Sequence, residues 1–132
     1  MVYEKLKLEN QLCFPIYAAS RLITREYQPY LDVLGITYPQ YLVMLVLWET
    51  DSITVNSISQ KLILNTNTIT PLLKRMEKLG LITRQRSEED ERKVIVELTE
   101  KGKQMQAEAN LIPDQLSSEL ISETMTVSHL LA

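Results

Sequence analysis

Apolar residues recur at helical spacing in the middle of the chain. One stripe follows the order i, i+3, i+4, i+7 and i+10 and consists of Ile69, Leu72, Leu73, Met76 and Leu79. The positions beside it carry hydroxyl or cationic side chains, namely Thr68, Thr70, Lys74, Arg75 and Lys78. A period of 3.6 residues is typical of an amphipathic helix with one buried face. The opposite face is polar and basic, which suits contacts with phosphates and base edges.

A long first helix is predicted near the N-terminus. Apolar side chains recur at multiples of three or four between residues 6 and 31, and Asn10 is a candidate cap. Proline is tolerated in the first turn of a helix and is costly further inside. Because Pro15 would otherwise lie in the interior, the regular helix is expected to begin close to Leu12, with Cys13 in its first turn.

Two more helical regions flank the middle of the chain. Gly35 and Pro39 indicate a break, after which the nearly all-apolar run 41–48 predicts a helix buried on most sides at the centre of the domain. Thr99 is expected to cap another helix through Met105 and Ala109, which Pro113 interrupts. Further apolar positions follow at Leu116, Leu120, Ile121, Leu130 and Leu131.

A short helix is predicted directly before the amphipathic one. Thr54 is its candidate cap, and its apolar face is Val55, Ile58 and Leu62. The polar run 65–67 separates the two helices, and two helices joined by three or four polar residues form a helix-turn-helix.

A hairpin is predicted after the amphipathic helix. Gly80 is expected to end that helix in a left-handed conformation. Residues 81–86 and 93–98 then alternate in side-chain character as two strands around the loop 87–92. The predicted fold is therefore mainly α with a small β-hairpin wing, a winged helix-turn-helix.

The charge distribution supports a polyanion partner. The 132 residues carry a net charge of −3, but residues 54–93 hold eight cations and five acids. This segment has a net charge of +3, and the remainder has −6. A basic middle on an acidic scaffold is compatible with nucleic-acid binding. No apolar run approaches the ~20 residues of a membrane span and no secretory signal is apparent, so the expected location is cytoplasmic.

Enzymatic chemistry has little support in the sequence. There is one cysteine and one histidine, His129, and the three glycines are isolated. Metal-ligand spacing, a glycine-rich phosphate loop and a nucleophile–base pair are all lacking. We therefore expect no metal and no cofactor. A thiol peroxidase using Cys13 remains the enzymatic alternative.

With these residues in view, the chain resembles a known family. The amphipathic helix, the run Gly80-Leu81-Ile82-Thr83-Arg84 and the loop Asp90-Glu91-Arg92 resemble the MarR family of transcription regulators. The segments Leu8-Glu9-Asn10-Gln11-Leu12-Cys13-Phe14 and Ile36-Thr37-Tyr38-Pro39-Gln40-Tyr41 are similar to the one-cysteine organic hydroperoxide resistance regulators (OhrR). The resemblance runs from about Lys7 to about Gly102.

The resemblance implies a homodimeric repressor that binds double-stranded DNA at an inverted-repeat operator. It assigns residues 36–99 to the DNA-binding lobe and residues 5–34 and 100–132 to a helical dimerisation region of one chain, 1–132. It also implies a set of DNA-contacting residues: Asn65, Thr66, Asn67, Thr68, Thr70, Pro71, Lys74, Arg75, Lys78, Arg84, Arg86 and Arg92. Arg92 would enter the minor groove, while Asp90 would brace the wing through Arg84.

The resemblance further implies that the DNA is released when an organic hydroperoxide oxidises Cys13. The sulfur would pass through a sulfenic acid to a mixed disulfide with a small thiol. Hydroxyls of Tyr17, Tyr27 and Tyr38 would hold the thiolate, and oxidation would break the hydrogen bonds from Tyr17 and Tyr27. A first-turn position near unpaired N–H groups also favours a thiolate.

Three simpler interpretations stay open from the residues alone. Cys13 could be a buried, inert side chain, and the tyrosines could be ordinary core residues. Lys74, Arg75 and Lys78 could be a solvated helix face. Within the regulator class, the alternative is a MarR-type protein that binds a small phenol or aromatic acid without cysteine chemistry.

Overall fold

The computed structural model describes residues 3–120. Two 3₁₀ turns, Glu4–Leu6 and Leu8–Asn10, precede α1 (Cys13–Leu34), α2 (Tyr38–Glu49), β1 (Ile53–Thr54), α3 (Val55–Leu62) and α4 (Thr66–Lys78). The hairpin strands are β2 (Ile82–Arg86) and β3 (Val94–Leu98), followed by α5 (Glu100–Gln104) and α6 (Gln106–Ala109). Residues 112–120 are helical. The predicted mainly helical fold with a small wing is confirmed.

The first helix begins where the sequence predicts, but the predicted cap is wrong, since Leu12 and not Asn10 is the N-cap. Cys13 is its first residue, so Pro15 lies in the first turn, and Gly35 ends the helix with a φ of 75°. Most of α1 is solvent-exposed in the single chain, and Leu31 is its one fully buried side chain among the described residues.

The second helix starts earlier than predicted, and Pro39 does not break it. Thr37 and Gln40 form a capping box in which Thr37 Oγ1 accepts from Gln40 N at 3.4 Å and Gln40 Oε1 accepts from Thr37 N at 2.9 Å. Pro39 lies within the first turn, where its missing N–H would have no helical acceptor. The predicted central burial of α2 is confirmed, since Val43, Met44 and Leu47 are fully buried in the core.

The sheet has three strands and not the two of the predicted hairpin. The two-residue strand β1 pairs antiparallel with β3, so the strand order is β1-β3-β2. Val96 is opposite Ile53 on one side and Arg84 on the other. The wing is thereby joined by backbone hydrogen bonds to the two residues that directly precede α3.

The helix-turn-helix forms with the predicted apolar stripe inward. Ile69, Leu72, Leu73 and Met76 are buried, whereas Leu79 is 41% exposed because it lies at the helix end. Leu79 therefore does not belong to the stripe. Asn65 is the cap, its side chain accepting from Thr68 N at 3.0 Å, so the helix begins at Thr66. The prediction that the whole run 65–67 separates the helices is wrong, since its last two residues belong to α4.

The C-terminal helix is more divided than predicted. Thr99 caps α5 as expected, but the helix breaks at Met105, and a turn at residues 110–111 follows α6. Pro113 lies at the start of the helical segment 112–120 and does not interrupt it. Leu116 is buried. The predicted apolar positions Ile121, Leu130 and Leu131 lie outside the described residues.

Within residues 3–120 no single helix is both long and apolar enough to span a membrane. Only α1 and α2 together reach that length and composition, across a bend of 74°.

One residue in the helix-turn-helix is strained. Ile63 ends α3 in the left-handed region (φ 57°, ψ 43°) and is 91% exposed. A β-branched side chain is costly there, by roughly 1–2 kcal/mol. Glycine would remove this strain, but it also increases the conformational entropy of the unfolded chain, which offsets part of the gain in stability. Ile63→Gly is therefore expected to raise the free energy of unfolding by about 0.5–1 kcal/mol in urea titration. Ile63→Val keeps the strain and should show no gain, and a loss of stability in Ile63→Gly would contradict the assignment.

Candidate DNA-binding surface and thiol site

The polar side of α4 forms a continuous exposed face. Its buried stripe orients the remaining residues toward solvent, where all but the half-buried Thr70 are exposed. The face consists of Asn65, Thr66, Asn67, Thr68, Thr70, Pro71, Lys74, Arg75 and Lys78. Lys74, Arg75 and Lys78 form no ion pair with a residue in the described part of the chain. The structure therefore brings these predicted residues together as a cationic surface.

A carboxylate that the sequence prediction missed connects this helix to the wing. Arg84 Nη2 lies 3.1 Å from Glu77 Oε1, and Arg84 N donates to Glu77 Oε2 at 3.2 Å. The expected contact between Arg84 and Asp90 is wrong. Because α4 and β2 are adjacent, Glu77 is closer to Arg84 than the wing loop is.

Asp90 instead organises the tip of the wing with Arg92. Asp90 Oδ1 accepts from Arg92 N at 3.0 Å and from Arg92 Nε at 3.3 Å. The backbone and then the side-chain hydrogen bond from Arg92 lower the pKa of the Asp90 carboxyl below its usual value. The Arg92 side chain is 92% exposed. Arg86 donates from Nη1 to Glu91 O at 2.9 Å, which further fixes the loop. The wing therefore presents one arginine at a defined tip.

Cys13 is exposed in the first turn of α1, so its interpretation as a buried side chain is wrong for this chain. Tyr17 lies one turn later and is 61% exposed. The rings of Phe14 and Tyr17 have centroids 6.4 Å apart. The thiol thus lies on an open apolar and aromatic segment of the helix.

The other two predicted tyrosines lie in a separate aromatic cluster. The ring centroids of Tyr27 and Tyr38 are 5.3 Å apart, and Tyr41 lies 5.6 Å from Tyr27. Tyr41 was missed, although its i, i+3 spacing from Tyr38 places both on one side of α2. Burial, followed by the neighbouring tyrosines, raises the pKa of Tyr27 and of Tyr41. Both hydroxyls therefore remain protonated hydrogen-bond donors at neutral pH.

The structure does not bring the thiol to this cluster within one chain. Cys13 and Tyr27 are both on α1, 14 residues apart. At 1.5 Å rise per residue their backbones are about 21 Å apart. The predicted hydrogen bond from Tyr27 to the thiolate therefore cannot form within one chain, where only Tyr17 is near Cys13 along the helix.

The aromatic cluster extends toward α5. Tyr41 and Trp48 pack edge to face, with centroids 6.4 Å apart. Trp48 Nε1 donates to Gly102 O at 2.9 Å. A Cβ on Gly102 would overlap the backbone oxygen of Leu81, so only glycine allows α5 to pack this closely on the start of β2. This contact fixes the position of α5 against the winged lobe.

Comparison with known proteins identifies the family. The family profile described as "Transcriptional regulator SarA/Rot" matches residues 25–109. The chain is 55% identical, over 111 residues, to the organic hydroperoxide resistance transcriptional regulator of Bacillus subtilis (strain 168), covering 84% of this chain and 76% of that one. The chain belongs to the MarR family of winged-helix transcription regulators.

Solved structures agree with this assignment. A structure of reduced AbfR bound to DNA has a TM-score of 0.77 at 43% identity and covers 98% of both chains. A structure of AbfR of Staphylococcus epidermidis has a TM-score of 0.71 at 40% identity, covering 97% of this chain and 96% of that one. Apo MarR from E. coli has a TM-score of 0.73 at 26% identity, covering 92% of this chain and 94% of that one. The profile match begins after Cys13, so it covers the winged lobe of this MarR-family regulator and not its thiol.

Proposed function

We propose that this MarR-family regulator is a homodimeric repressor that binds an inverted-repeat operator while Cys13 is reduced and releases it after oxidation by an organic hydroperoxide. One observation carries the redox part of the proposal: Cys13 is exposed on an apolar segment of α1. The name of the Bacillus subtilis relative supports an organic hydroperoxide as the oxidant. The complex of reduced AbfR with DNA supports DNA binding by the reduced form.

The proposed DNA-binding lobe is residues 36–99. Two such lobes in a dimer would place the polar faces of α4 in successive major grooves, about 34–36 Å apart. Arg92 would then lie in the flanking minor groove, where a narrow groove attracts arginine. Arg84, which is ion-paired with Glu77, and Arg86, which is bonded to Glu91 O, would support the wing more than they contact DNA.

The proposed dimerisation region is residues 5–34 and 100–132, of which residues 121–132 lie outside the described part. Exposed large apolar side chains concentrate here: Leu6, Leu8, Leu12, Ile16, Leu22, Ile23, Val33 and Leu111. A monomer rarely leaves this much apolar surface in water. A symmetric dimer would cover the same patch on both subunits.

Such a dimer also resolves the separation between Cys13 and the tyrosines. If the α1 helices of two subunits pack antiparallel, the thiol end of one lies beside the Tyr27 end of the other. Tyr27 and Tyr38 of the partner subunit would then supply hydroxyl donors to the thiolate, together with Tyr17 of the same chain. In this arrangement the predicted thiol site is shared between two subunits.

The proposed chemistry is a two-electron oxidation of sulfur. The Cys13 thiolate attacks the terminal oxygen of the hydroperoxide, so an S–O bond forms and the O–O bond breaks. The alkoxide takes up a proton and leaves as an alcohol, giving a sulfenic acid. A small thiol then attacks that sulfur and water leaves, giving a mixed disulfide. The added bulk on α1 would change the spacing of the two lobes and weaken operator binding.

Cys13→Ser separates this proposal from its alternatives. We expect reduced wild-type protein and Cys13→Ser to bind an inverted-repeat duplex with equal affinity in fluorescence anisotropy. One equivalent of cumene hydroperoxide plus a small thiol should weaken wild-type binding at least 100-fold and leave Cys13→Ser unchanged. Release of both proteins, or of neither, would contradict the redox proposal. Consumption of many hydroperoxide molecules per protein would favour the thiol peroxidase.

A ligand-responsive regulator is the second candidate, and one cavity favours it. This cavity of about 420 Å³ lies between α2, α6 and the residues that follow α6, and Tyr41, Trp48 and Asn110 contribute to its wall. Its size suits a small phenol or aromatic acid. Release of both wild-type protein and Cys13→Ser by salicylate, with no response to oxidant, would support this candidate.

In either case the protein acts on DNA with a free thiol, and we propose a cytoplasmic location.

A further inference from the structure

A polar cavity lies between the recognition helix and the wing. It has a volume of about 210 Å³ and is bounded by the first turn of α3, the middle of α4 and the wing. Its wall includes three cationic side chains, Arg84, Arg92 and Lys93, and the neutral polar side chains of Asn56 and Thr70. The sequence prediction included neither Lys93 nor Asn56 among the DNA contacts.

The charges around this cavity are unevenly neutralised. Arg84 is paired with Glu77 at 3.1 Å, and Arg92 with Asp90 at 3.3 Å. Lys93 forms no ion pair within 4 Å with any residue in the range 3–120. Its backbone is fixed, since Lys93 N donates to Asp90 O at 2.9 Å and Lys93 O accepts from Ser87 N at 2.8 Å. The cavity wall therefore holds an exposed ammonium group on a well-positioned backbone.

A second feature of the wall also favours an anion. Arg84 Nε is buried and has no hydrogen-bond partner among the described residues. This atom is itself enclosed, but the positive charge of the guanidinium in the cavity wall would stabilise an anion.

We propose that this cavity holds one phosphate of the DNA backbone, with Lys93 as its cation and Asn56 and Thr70 as neutral hydrogen-bond donors. The inference rests on the proposed DNA binding. If α4 occupies the major groove and Arg92 the adjacent minor groove, the DNA backbone that separates the two grooves must pass between α4 and Arg92. The cavity lies between α4 and the wing, where this backbone would pass. Its contacts carry no base information and set the register of the lobe on the duplex.

Salt dependence tests the role of Lys93. The duplex is an inverted repeat selected from a random pool by the wild-type protein, and affinities are measured across a roughly sixfold range of KCl concentration. Each phosphate contact contributes about 0.9 to the slope of log K against log [KCl], so Lys93→Ala in a dimer should reduce that slope by about 2. Asn56→Ala should weaken binding with the slope unchanged, because its side chain is neutral.

Lys101→Ala is the matched control. Lys101 is also an exposed lysine of the wing-proximal region, but its Nζ donates to Leu79 O at 2.8 Å and it does not contribute to this cavity. Its removal should leave the slope nearly unchanged. Thermal melting of all three variants should match the wild type, since each side chain is exposed.

Neutral methylphosphonates placed one at a time along the duplex locate the phosphate. When the methylphosphonate replaces the phosphate that Lys93 contacts, one position in each half-site, wild-type protein and Lys93→Ala should bind the duplex equally. The phosphate has then lost the charge that Lys93 would neutralise. A Lys93→Ala slope equal to that of the wild type, or a defect that persists at every methylphosphonate position, would overturn the inference. Wild-type protein that bound no duplex would instead overturn the proposed DNA-binding function.

Discussion

Gly102→Ala is expected to lower the free energy of unfolding by about 3 kcal/mol, the upper part of the range for overpacking a core. The added Cβ would overlap the backbone oxygen of Leu81 and lie 3.2 Å from Leu98 Cδ2. The Leu81 oxygen cannot rotate away, because it also accepts from Thr99 N at 3.0 Å. Either α5 or the start of β2 must move, and movement of α5 also disturbs the Trp48 hydrogen bond to Gly102 O. Urea unfolding at fixed protein concentration measures the loss.

Gly35→Ala is the control for this substitution. Gly35 has a φ of 75°, and a Cβ placed on it would meet no atom within 4 Å, so alanine there is strained but does not clash. Its expected loss is about 1–2 kcal/mol, the cost of one left-handed residue. If Gly102→Ala lost less stability than Gly35→Ala, the close packing of α5 on Leu81 would not limit the fold.

A mixed dimer is expected to show that the thiol of one subunit uses the tyrosines of the other. In this dimer one chain carries Cys13→Ser with intact tyrosines, and the other carries Cys13 with Tyr27→Phe and Tyr38→Phe. The single thiol should react with cumene hydroperoxide at the wild-type rate, because the partner subunit still supplies both hydroxyls. A homodimer in which both chains carry Tyr27→Phe and Tyr38→Phe should react about tenfold more slowly. It lacks the hydrogen bonds to the thiolate, and one hydrogen bond to a charged group is worth about 1.5 kcal/mol or more. Mass spectrometry of quenched samples follows the loss of free thiol.

The reciprocal dimer supplies the control. Here all three substitutions are on one chain and the other chain is wild type, so the thiol faces a partner without the two hydroxyls and should react slowly. The opposite order of rates in the two mixed dimers would place the tyrosines in the same subunit as the thiol. Equal rates in both would mean that Tyr27 and Tyr38 do not act on Cys13.

Local periodicity was sufficient to predict most of the winged lobe. The stripe from Ile69 to Met76 could be assigned to a buried helix face because apolar spacing reports one helix at a time. Thr54 and Thr99 were recognisable caps for the same reason, since a cap needs only its own first turn. The strand β1 was not predicted, because two residues are too short to show alternation and it forms only by pairing with β3.

The candidate site was harder to predict, because its contacts depend on how separate helices and strands pack together. The Trp48 hydrogen bond to Gly102 O spans 54 residues, and no spacing rule reaches that far. The sequence analysis paired Arg84 with Asp90, and its pairing with Glu77 instead depends on how the wing packs against α4. Cys13, Tyr17 and Tyr27 lie on α1 and Tyr38 lies on α2, and helical spacing along one chain does not show how these side chains are placed when two chains meet.

The ion pair between Glu77 and Arg84 has a consequence for the selectivity of the proposed regulator. It joins the helix and the wing of each lobe, so the two elements move together and keep their relative orientation. A modification on α1 then displaces whole lobes and leaves the preference of each lobe for particular bases unchanged. Oxidation would therefore lower the affinity for all operators of equal half-site spacing by the same factor, and their ranking would stay as it is in the reduced protein.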